Sequence, residues 1–219
     1  INGDLNSYVD ETVANESAIL KRFKNDKNIR QSPNMEYQFV AKTIKRLKDR
    51  PIVVGAGPAG LFATLLLAQM GLRPILLERG KEVRQRTVDT FGFWRSGQLN
   101  TESNVQFGEG GAGTFSDGKL HTQIKDRKHY GRKVLQEFVK AGAPEEILYL
   151  SKPHIGTFRL VKMVENMRAE ILGLGGDVRF ESRVDDFLID NSEIKGIVLA
   201  DGRVLESGYV VLAPGHSAR

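Results

Sequence analysis

Residues 51–80 read PIVVGAGPAGLFATLLLAQMGLRPILLERG, and the fold class is predicted from this stretch. It opens with Ile52–Val54, a short apolar run with β-branched residues that is typical of a buried strand. A glycine turn follows, then the strongly apolar residues 61–70, which favour a helix that Gly71 is well placed to end. A second apolar run leads to Glu78. The order of strand, glycine turn, helix, strand and acid predicts a βαβ unit.

The spacing of three glycines in the turn indicates what this unit binds. Gly55 allows a tight turn, Gly57 lets a pyrophosphate approach the backbone, and Gly60 lets the helix pack close to the strand. The helix N-terminus attracts the pyrophosphate, and Glu78 can accept hydrogen bonds from a ribose diol. A chance glycine turn is the alternative, but the surrounding strands and acid favour a dinucleotide site. The spacing alone does not distinguish NAD from FAD.

Three further features favour FAD. Pro58 and Ala59 in the turn, with Arg79 after the acid, resemble flavoprotein usage. A second glycine cluster at 108–118 suits a cofactor with a long ribityl–isoalloxazine arm. It is interpreted as an ordered loop that lines a ligand, with a flexible linker as the alternative. Residues 212–215 resemble the strand-to-turn motif, usually Ala-Thr-Gly, that passes beside FAD.

The remaining pattern predicts the fold class, which is α/β. Residues 130–141 favour a helix, and Leu160, Val164, Met167 and Ile171 form the buried stripe of a second helix over 157–172. A run of strands then follows at 178–181, 184–189, 194–199, 203–206 and 209–213. We therefore expect a Rossmann-like FAD-binding fold with a parallel sheet, flanking helices and an inserted antiparallel β-meander.

Composition narrows the class of protein. The chain has 219 residues, no cysteine and a net charge of +5. The absence of cysteine excludes disulfides, thiolate zinc sites and iron–sulfur clusters within these residues. The sequence has no apolar run of about 18 residues, so no membrane partner is expected, and the protein is expected to be cytoplasmic. The basic excess lies in the first two-thirds, without the interleaved aromatics typical of nucleic-acid binding, so no nucleic-acid partner is expected.

Two domains are predicted. Residues 1–50 are interpreted as a mainly helical appendage or the tail of an upstream domain, with helices around residues 9–23 and 39–47. Residues 51–219 are interpreted as the FAD-binding domain.

Several stretches resemble a bacterial family of uncharacterised FAD-dependent dehydrogenases, of the glutathione-reductase-type flavoprotein group. The stretches are Val53–Gly60, Leu77–Gly80, Gln106–Leu120, Lys152–Thr157 and Leu212–Arg219. The family is similar in outline to fumarate reductase flavoproteins and the flavoprotein tRNA-modifying enzymes. Related flavoproteins continue past the position of Arg219, which implies that this chain is a fragment of about half an enzyme, lacking the substrate and lid part.

The resemblance also implies cofactor contacts at named positions. The pyrophosphate would lie against the first glycine turn, the adenosine ribose at Glu78, and the adenine near Arg79 and the backbone of Val184. Arg86 would either reach a phosphate or be a surface arginine. In full, the implied FAD-binding residues are Gly55, Gly57, Pro58, Ala59, Gly60, Glu78, Arg79, Arg86, Gly110, Gly111, Gly113, Thr114, Val184, Ala213, Pro214 and Gly215. Pro214 departs from the Thr common in the broader group.

Catalytic groups are harder to place, because the flavin itself carries the redox chemistry. Lys119 and His121 follow the glycine cluster and are the catalytic candidates, for charge stabilisation and proton transfer respectively. Asp117, His154 and His216 are further candidates, each with a structural or surface role as the alternative. No metal-ligand spacing is present, so no metal is expected.

The sequence predicts an FAD-dependent oxidoreductase that transfers a hydride through bound flavin, with NAD(P)H as a candidate electron donor. Its substrate is expected to be a small molecule. The alternatives are a non-catalytic flavin- or nucleotide-binding redox sensor or scaffold, and a tRNA-modifying flavoprotein.

Overall fold

A computed structural model describes residues 16–31, 34–41 and 48–218. The chain divides into two compact units, residues 1–36 and 37–219. In the first unit, residues 16–22 are helical, within the first predicted helix. In the second unit, residues 37–41 are not helical, so the predicted second helix does not begin at Phe39, and its remaining residues 42–47 lie outside the described residues.

A four-stranded parallel sheet forms the centre of the second unit. Its strands are β1 (Ile52–Val54), β2 (Ile75–Leu77), β3 (Asp177–Arg179) and β7 (Val210–Leu212), in the order β3-β2-β1-β7. A smaller antiparallel sheet joins β4 (Val184–Asp190), β5 (Glu193–Leu199) and β6 (Val204–Glu206). The meander is therefore inserted between two strands of the main sheet, as predicted, and the fold class is confirmed.

Four helices accompany the sheets in the described part of the second unit. They are α1 (Pro58–Gln69), α2 (Val83–Ser96), α3 (Tyr130–Lys140) and α4 (Thr157–Gly173), with short 3₁₀ turns at Ala112–Phe115, Glu145–Leu148 and Gly215–Ala218. α1 ends as expected, since Gly71 has a φ of +83° and Leu72 N–H donates to the Leu67 carbonyl. The sequence analysis did not predict α2. Thr157 is the first residue of α4 and not its N-cap, which is Gly156, and the Thr157 hydroxyl donates to the Ser116 carbonyl.

Alternation along the central strands creates two apolar layers, because successive side chains of a strand point to opposite faces. Val53 and Leu76 face a cluster formed with α1 and α4, which contains the predicted α4 stripe. Ile52, Ile75 and Leu77 face Ile197 and Leu199 of the meander. The sheet is thus covered by helices on one side and by the meander on the other, which leaves the carboxyl ends of its strands to form a site.

Among residues 16–31, 34–41 and 48–218, no helix has both the length and the hydropathy that a bilayer-spanning segment requires.

Candidate functional site

The first glycine turn joins β1 to α1, and its three glycines have different surroundings. A Cβ at Gly55, where φ is +100°, would collide with the Ala213 carbonyl oxygen, and a Cβ at Gly60 would collide with that of Gly55. At Gly57, no atom of the described residues lies within 4 Å of an added Cβ. Gly55 and Gly60 therefore allow tight packing, whereas Gly57 leaves room for a ligand to reach the backbone.

The N-terminus of α1 opens from this turn. Gly57 is its N-cap residue and Pro58 its first residue, where the missing N–H of proline is tolerated. Within the described chain, no side chain caps this helix and no acid lies in its first turn. The free N–H groups and the positive end of the helix dipole thus remain available to an anion.

Glu78 lies at the end of β2 and is 5% exposed. Its carboxylate accepts hydrogen bonds from the Ala56 N–H (2.7 Å to Oε2) and the Gly80 N–H (2.8 Å to Oε1). These bonds fix the carboxylate beside the glycine turn. Because an ionised carboxylate has about four acceptor positions, Glu78 retains capacity for ribose hydroxyls.

A cleft of about 670 Å³ extends across the carboxyl ends of the strands. It contains most of the predicted cofactor residues: Gly55, Gly57, Pro58, Glu78, Arg79, Gly111, Gly113, Val184, Ala213, Pro214 and Gly215. Four of the other five predicted residues flank it, with Ala59 and Gly60 in the first turn of α1 and Gly110 and Thr114 in the second glycine segment. The cleft follows the sheet edge where open α/β folds bind ligands.

The second glycine segment forms an ordered loop beside the first. Gly110 N–H donates to the Ala56 carbonyl (2.8 Å), which ties the two segments together. Gly111 has a φ of +65°, and a Cβ there would come within 3.0 Å of Pro58 Cδ. The 3₁₀ turn Ala112–Phe115 follows, and the ring of Phe115 lies 6.2 Å from that of Trp94.

Arg86 requires a correction, because it is neither a phosphate contact nor a surface residue. The α2 residue is completely buried, and its guanidinium donates to the carbonyls of Asn104, Val105, Glu109 and Gly111 at 2.6–2.8 Å. Its Cζ also lies 4.8 Å from the centre of the Phe115 ring. Burial lowers the pKa of Arg86 to about 10, so it stays charged at neutral pH. Arg86 therefore stabilises the second glycine segment and the residues before it through these hydrogen bonds.

Glu109, in this loop, is a second buried ionisable side chain. Its Oε2 accepts the Val83 N–H at 2.8 Å, at the start of α2, and its Oε1 lies 3.3 Å from Arg168 Nε. That contact is not aligned as a hydrogen bond, and Oε1 has no hydrogen-bond partner among the described residues. Burial raises the pKa of Glu109 to about 7, against the opposing effects of the Val83 N–H and Arg168.

The two principal catalytic candidates, Lys119 and His121, are not among the described residues that line the cleft. The side chain of Lys119 is 77% exposed and pairs with Asp117 at 3.0 Å, while its backbone forms a β-bridge with His154. His121 is exposed and is not among the described residues that line the cleft. Of the histidines considered, His216 is the one that lines the cleft, after Gly215. In the part of the chain that the structure describes, no group of acids and histidines could hold a metal ion.

A smaller, mainly apolar cavity of about 290 Å³ adjoins the cleft. Pro58 and Gly113 line both spaces, and Lys119 lies on the wall of the smaller one. Phe62, Met163 and Met167 supply part of its apolar surface. The cavity gives the cleft an apolar extension between α1 and α4.

The roles of four residues that shape the site were not predicted from the sequence. Phe107 and Arg183 line the cleft near Arg79, while Arg86 and Glu109 hold the loop. Only Glu109 carried a local signal, as an acid within a glycine cluster, and its partner Val83 lies 26 residues away. The other roles depend on contacts between distant segments.

Comparisons with known proteins agree with this geometry. An uncharacterized protein of Clostridium beijerinckii is 48% identical over 204 residues, which cover 93% of this chain and 38% of that protein. A thiamine thiazole synthase of Aeropyrum pernix is 27% identical over 194 residues, covering 82% of this chain and 59% of that protein. The chain thus spans less than two-thirds of the length of these relatives.

Among solved structures, that of Thermovibrio ammonificans THI4 covers 97% of this chain and 66% of its own, with a TM-score of 0.51 and 18% identity. L-proline dehydrogenase from P. horikoshii covers 77% and 53%, with a TM-score of 0.50 and 16% identity. These likenesses establish the shared fold. The model of the FAD binding domain family matches residues 50–218, so the chain belongs to the FAD binding domain family.

Proposed function

We propose that the protein is an FAD-dependent oxidoreductase, and that the cleft is its cofactor site. The observation that carries the proposal is the first glycine turn, where Gly57 leaves space beside the uncapped N-terminus of α1. The family match at residues 50–218 supports FAD as the dinucleotide. NAD(P)H as electron donor and a small-molecule substrate are part of this proposal.

The residues along the cleft fit the three parts of FAD. Glu78 would accept the hydroxyls of the adenosine ribose, with Arg79 and Val184 on the adenine side. The N–H groups at the start of α1 would bind the pyrophosphate, and Gly111 and Gly113 would lie along the ribityl arm and flavin. When bound, FAD supplies the hydride-transfer chemistry, and the protein supplies orientation and electrostatics.

Two groups near the flavin end could act on protons or charge. His216 lines the cleft and has the side chain most suited to proton transfer near neutral pH. Lys119 lies on the wall of the adjoining apolar cavity, where it could hold a negatively charged group. The apolar walls of that cavity would exclude water from the region between them.

The cofactor site is tested by Gly57→Ala. We expect FAD affinity to fall about 10-fold to 100-fold, because the methyl group would occupy the space of the pyrophosphate, a loss of about 1.4–2.7 kcal/mol. Stability should change by less than about 1 kcal/mol, because φ of −71° suits alanine and the described protein leaves the Cβ uncrowded. Flavin fluorescence titration and urea denaturation measure the two quantities.

The matched control is Gly92→Ala on α2, whose added Cβ also meets no described atom within 4 Å. Gly92 is not among the described residues that line the cleft, so its substitution should leave FAD affinity unchanged. Equal FAD affinity in the Gly57 variant and the wild type would refute this site. Binding of NAD in place of FAD would assign the turn to NAD.

Turnover is tested separately on the FAD-loaded protein. Bleaching of its visible spectrum by anaerobic NADH or NADPH would support the oxidoreductase and identify its donor. A flavin spectrum that persists with both would favour the non-catalytic sensor or scaffold.

A further inference from the structure

A carboxylate held between two arginines lies next to the cleft, in a neighbouring pocket of about 360 Å³ that shares Arg79 and Arg183 with it. Glu102 accepts a hydrogen bond from Arg79 Nε at 2.8 Å through Oε2, and one from Arg183 Nη1 at 3.1 Å through Oε1. Arg79 follows β2 and Arg183 precedes β4, so Glu102 links the main sheet to the meander. The hydrogen bond from Arg79 lowers the pKa of Glu102 below its usual range, although partial burial opposes this effect. The carboxylate is therefore ionised at neutral pH.

Arg79 is fixed on a second side by an aromatic ring. Its Cζ lies 4.0 Å from the centre of the Phe107 ring, which is a close cation–π arrangement. Phe107 and Arg79 both line the cleft. The ring and Glu102 together restrict the guanidinium to one orientation at the cleft wall.

This orientation matters because of the position of Arg79 in the sequence. An arginine close to the ribose-binding acid is the residue type that accommodates a 2′-phosphate in NADP-binding folds. Here its Nε is already engaged, and Glu102 offsets its charge. Glu78 beside it favours a ribose with free hydroxyls. The ion pairs of Glu102 with Arg79 and Arg183 are partly exposed and contribute little to the free energy of unfolding. Their main effect is therefore to fix the position of the Arg79 guanidinium.

We propose that Glu102 is a positioning residue that sets ligand selectivity at the adenosine end. Glu102 holds the Arg79 guanidinium between the Phe107 ring and the bound adenine. In this position the guanidinium does not bind a phosphate on the ribose 2′-oxygen. The ligand class selected is an adenosine diphosphate derivative with free 2′- and 3′-hydroxyls. This inference rests on the proposed function of the cleft as an FAD site.

The test compares Glu102→Gln with the wild type, using FAD, ADP-ribose and the 2′-phosphate of ADP-ribose as probes. These last two differ only in the phosphate. In the variant we expect affinity for FAD and ADP-ribose to fall about threefold to tenfold, and affinity for the 2′-phosphate to rise or stay constant. The ratio of the two ADP-ribose affinities should therefore shift at least threefold toward the phosphorylated probe.

The control is Glu193→Gln, which removes an exposed meander carboxylate paired with Lys195 and should leave all three affinities unchanged. An equal loss for both ADP-ribose probes in Glu102→Gln would overturn selectivity and indicate a merely structural role. An unchanged ratio would also overturn it. Failure of the wild type to bind FAD or ADP-ribose would instead overturn the proposed function, and this inference with it.

Discussion

The two glycine segments of the cleft reach the same site by different means. The first, Gly55–Gly60, is shaped by its own βα turn and by the adjoining backbone of Ala213. The second, Gly108–Gly118, is shaped by contacts with distant parts of the chain. Arg86 donates to its backbone carbonyls, and its own Glu109 contacts Val83 and Arg168. A glycine turn between a strand and a helix can thus be encoded by local spacing, whereas a glycine-rich loop of similar composition depends on buried ionisable side chains.

This difference predicts that single substitutions destabilise the second glycine segment more than the first. Arg86→Met should have the largest effect on the free energy of unfolding. Removing the guanidinium leaves the carbonyls of Asn104, Val105, Glu109 and Gly111 without their buried donor. We expect a loss of about 3–5 kcal/mol in the free energy of unfolding, measured by urea denaturation. Hydrogen exchange should show the greatest loss of protection in residues 104–115.

Arg84→Met is the matched control, since Arg84 lies two residues away on α2 and pairs with Glu165 at the surface. Its free energy of unfolding should stay close to that of the wild type. Equal stability of the two variants would contradict the assigned role of Arg86.

Glu109→Gln probes the same loop through pH. Because burial raises the folded pKa from 4.5 to about 7, the folded protein binds the proton more tightly than the unfolded chain. The wild type should therefore lose stability as pH rises from about 4.5 to 7, by an amount of about 3 kcal/mol. Glutamine does not titrate, so the stability of the wild type relative to the variant should fall across this range.

Urea denaturation at pH 5 and pH 8 measures this difference, and the histidines common to both proteins cancel. A constant difference between the variant and the wild type would show that the Glu109 pKa is the same in the folded and unfolded states.

Gly113→Ala has the smallest expected effect on stability and the most direct bearing on the comparison. Within the described protein, an added Cβ there has no neighbour within 4 Å, as at Gly57. Stability should change by less than about 0.5 kcal/mol, while FAD affinity should fall about tenfold. Isothermal titration and thermal melting measure the two effects.

Gly111→Ala is the contrasting variant, because its φ of +65° and the nearby Pro58 Cδ make alanine strained. It should lose about 1–2 kcal/mol of stability without any ligand. Should Gly113→Ala bind FAD like the wild type, the loop would not contact the cofactor as proposed.

How far the fold could be predicted follows from the same distinction. The βαβ unit, the buried α4 stripe and the meander were predictable, because each depends on local periodicity or turn chemistry. α2 was missed because VRQRTVDTFGFWRS contains few apolar residues in a helical stripe, and its buried side chains are Val83, Arg86 and Thr90. A buried arginine adds no hydrophobic signal to a sequence.

The site followed the same rule. That Glu78 and the glycines line one cleft could be predicted, because a βαβ unit brings the turn after its first strand and the acid after its second strand to the same sheet edge. The Arg86 phosphate contact was wrong, since nothing in its neighbours along the chain indicates that four carbonyl groups will surround it. Lys119 and His121 follow the glycine cluster in sequence, yet neither is among the described residues that line the cleft, and Lys119 lines the adjoining cavity instead.

The packing of Trp94 has a practical consequence for spectroscopy. It is the one tryptophan of the chain, and its ring lies against Phe115, which in turn lies over the Arg86 guanidinium. Indole emission from these 219 residues therefore originates beside the second glycine segment, and is not an average over several positions. Changes in Trp94 fluorescence should therefore report on the loop that Arg86 holds by its hydrogen bonds.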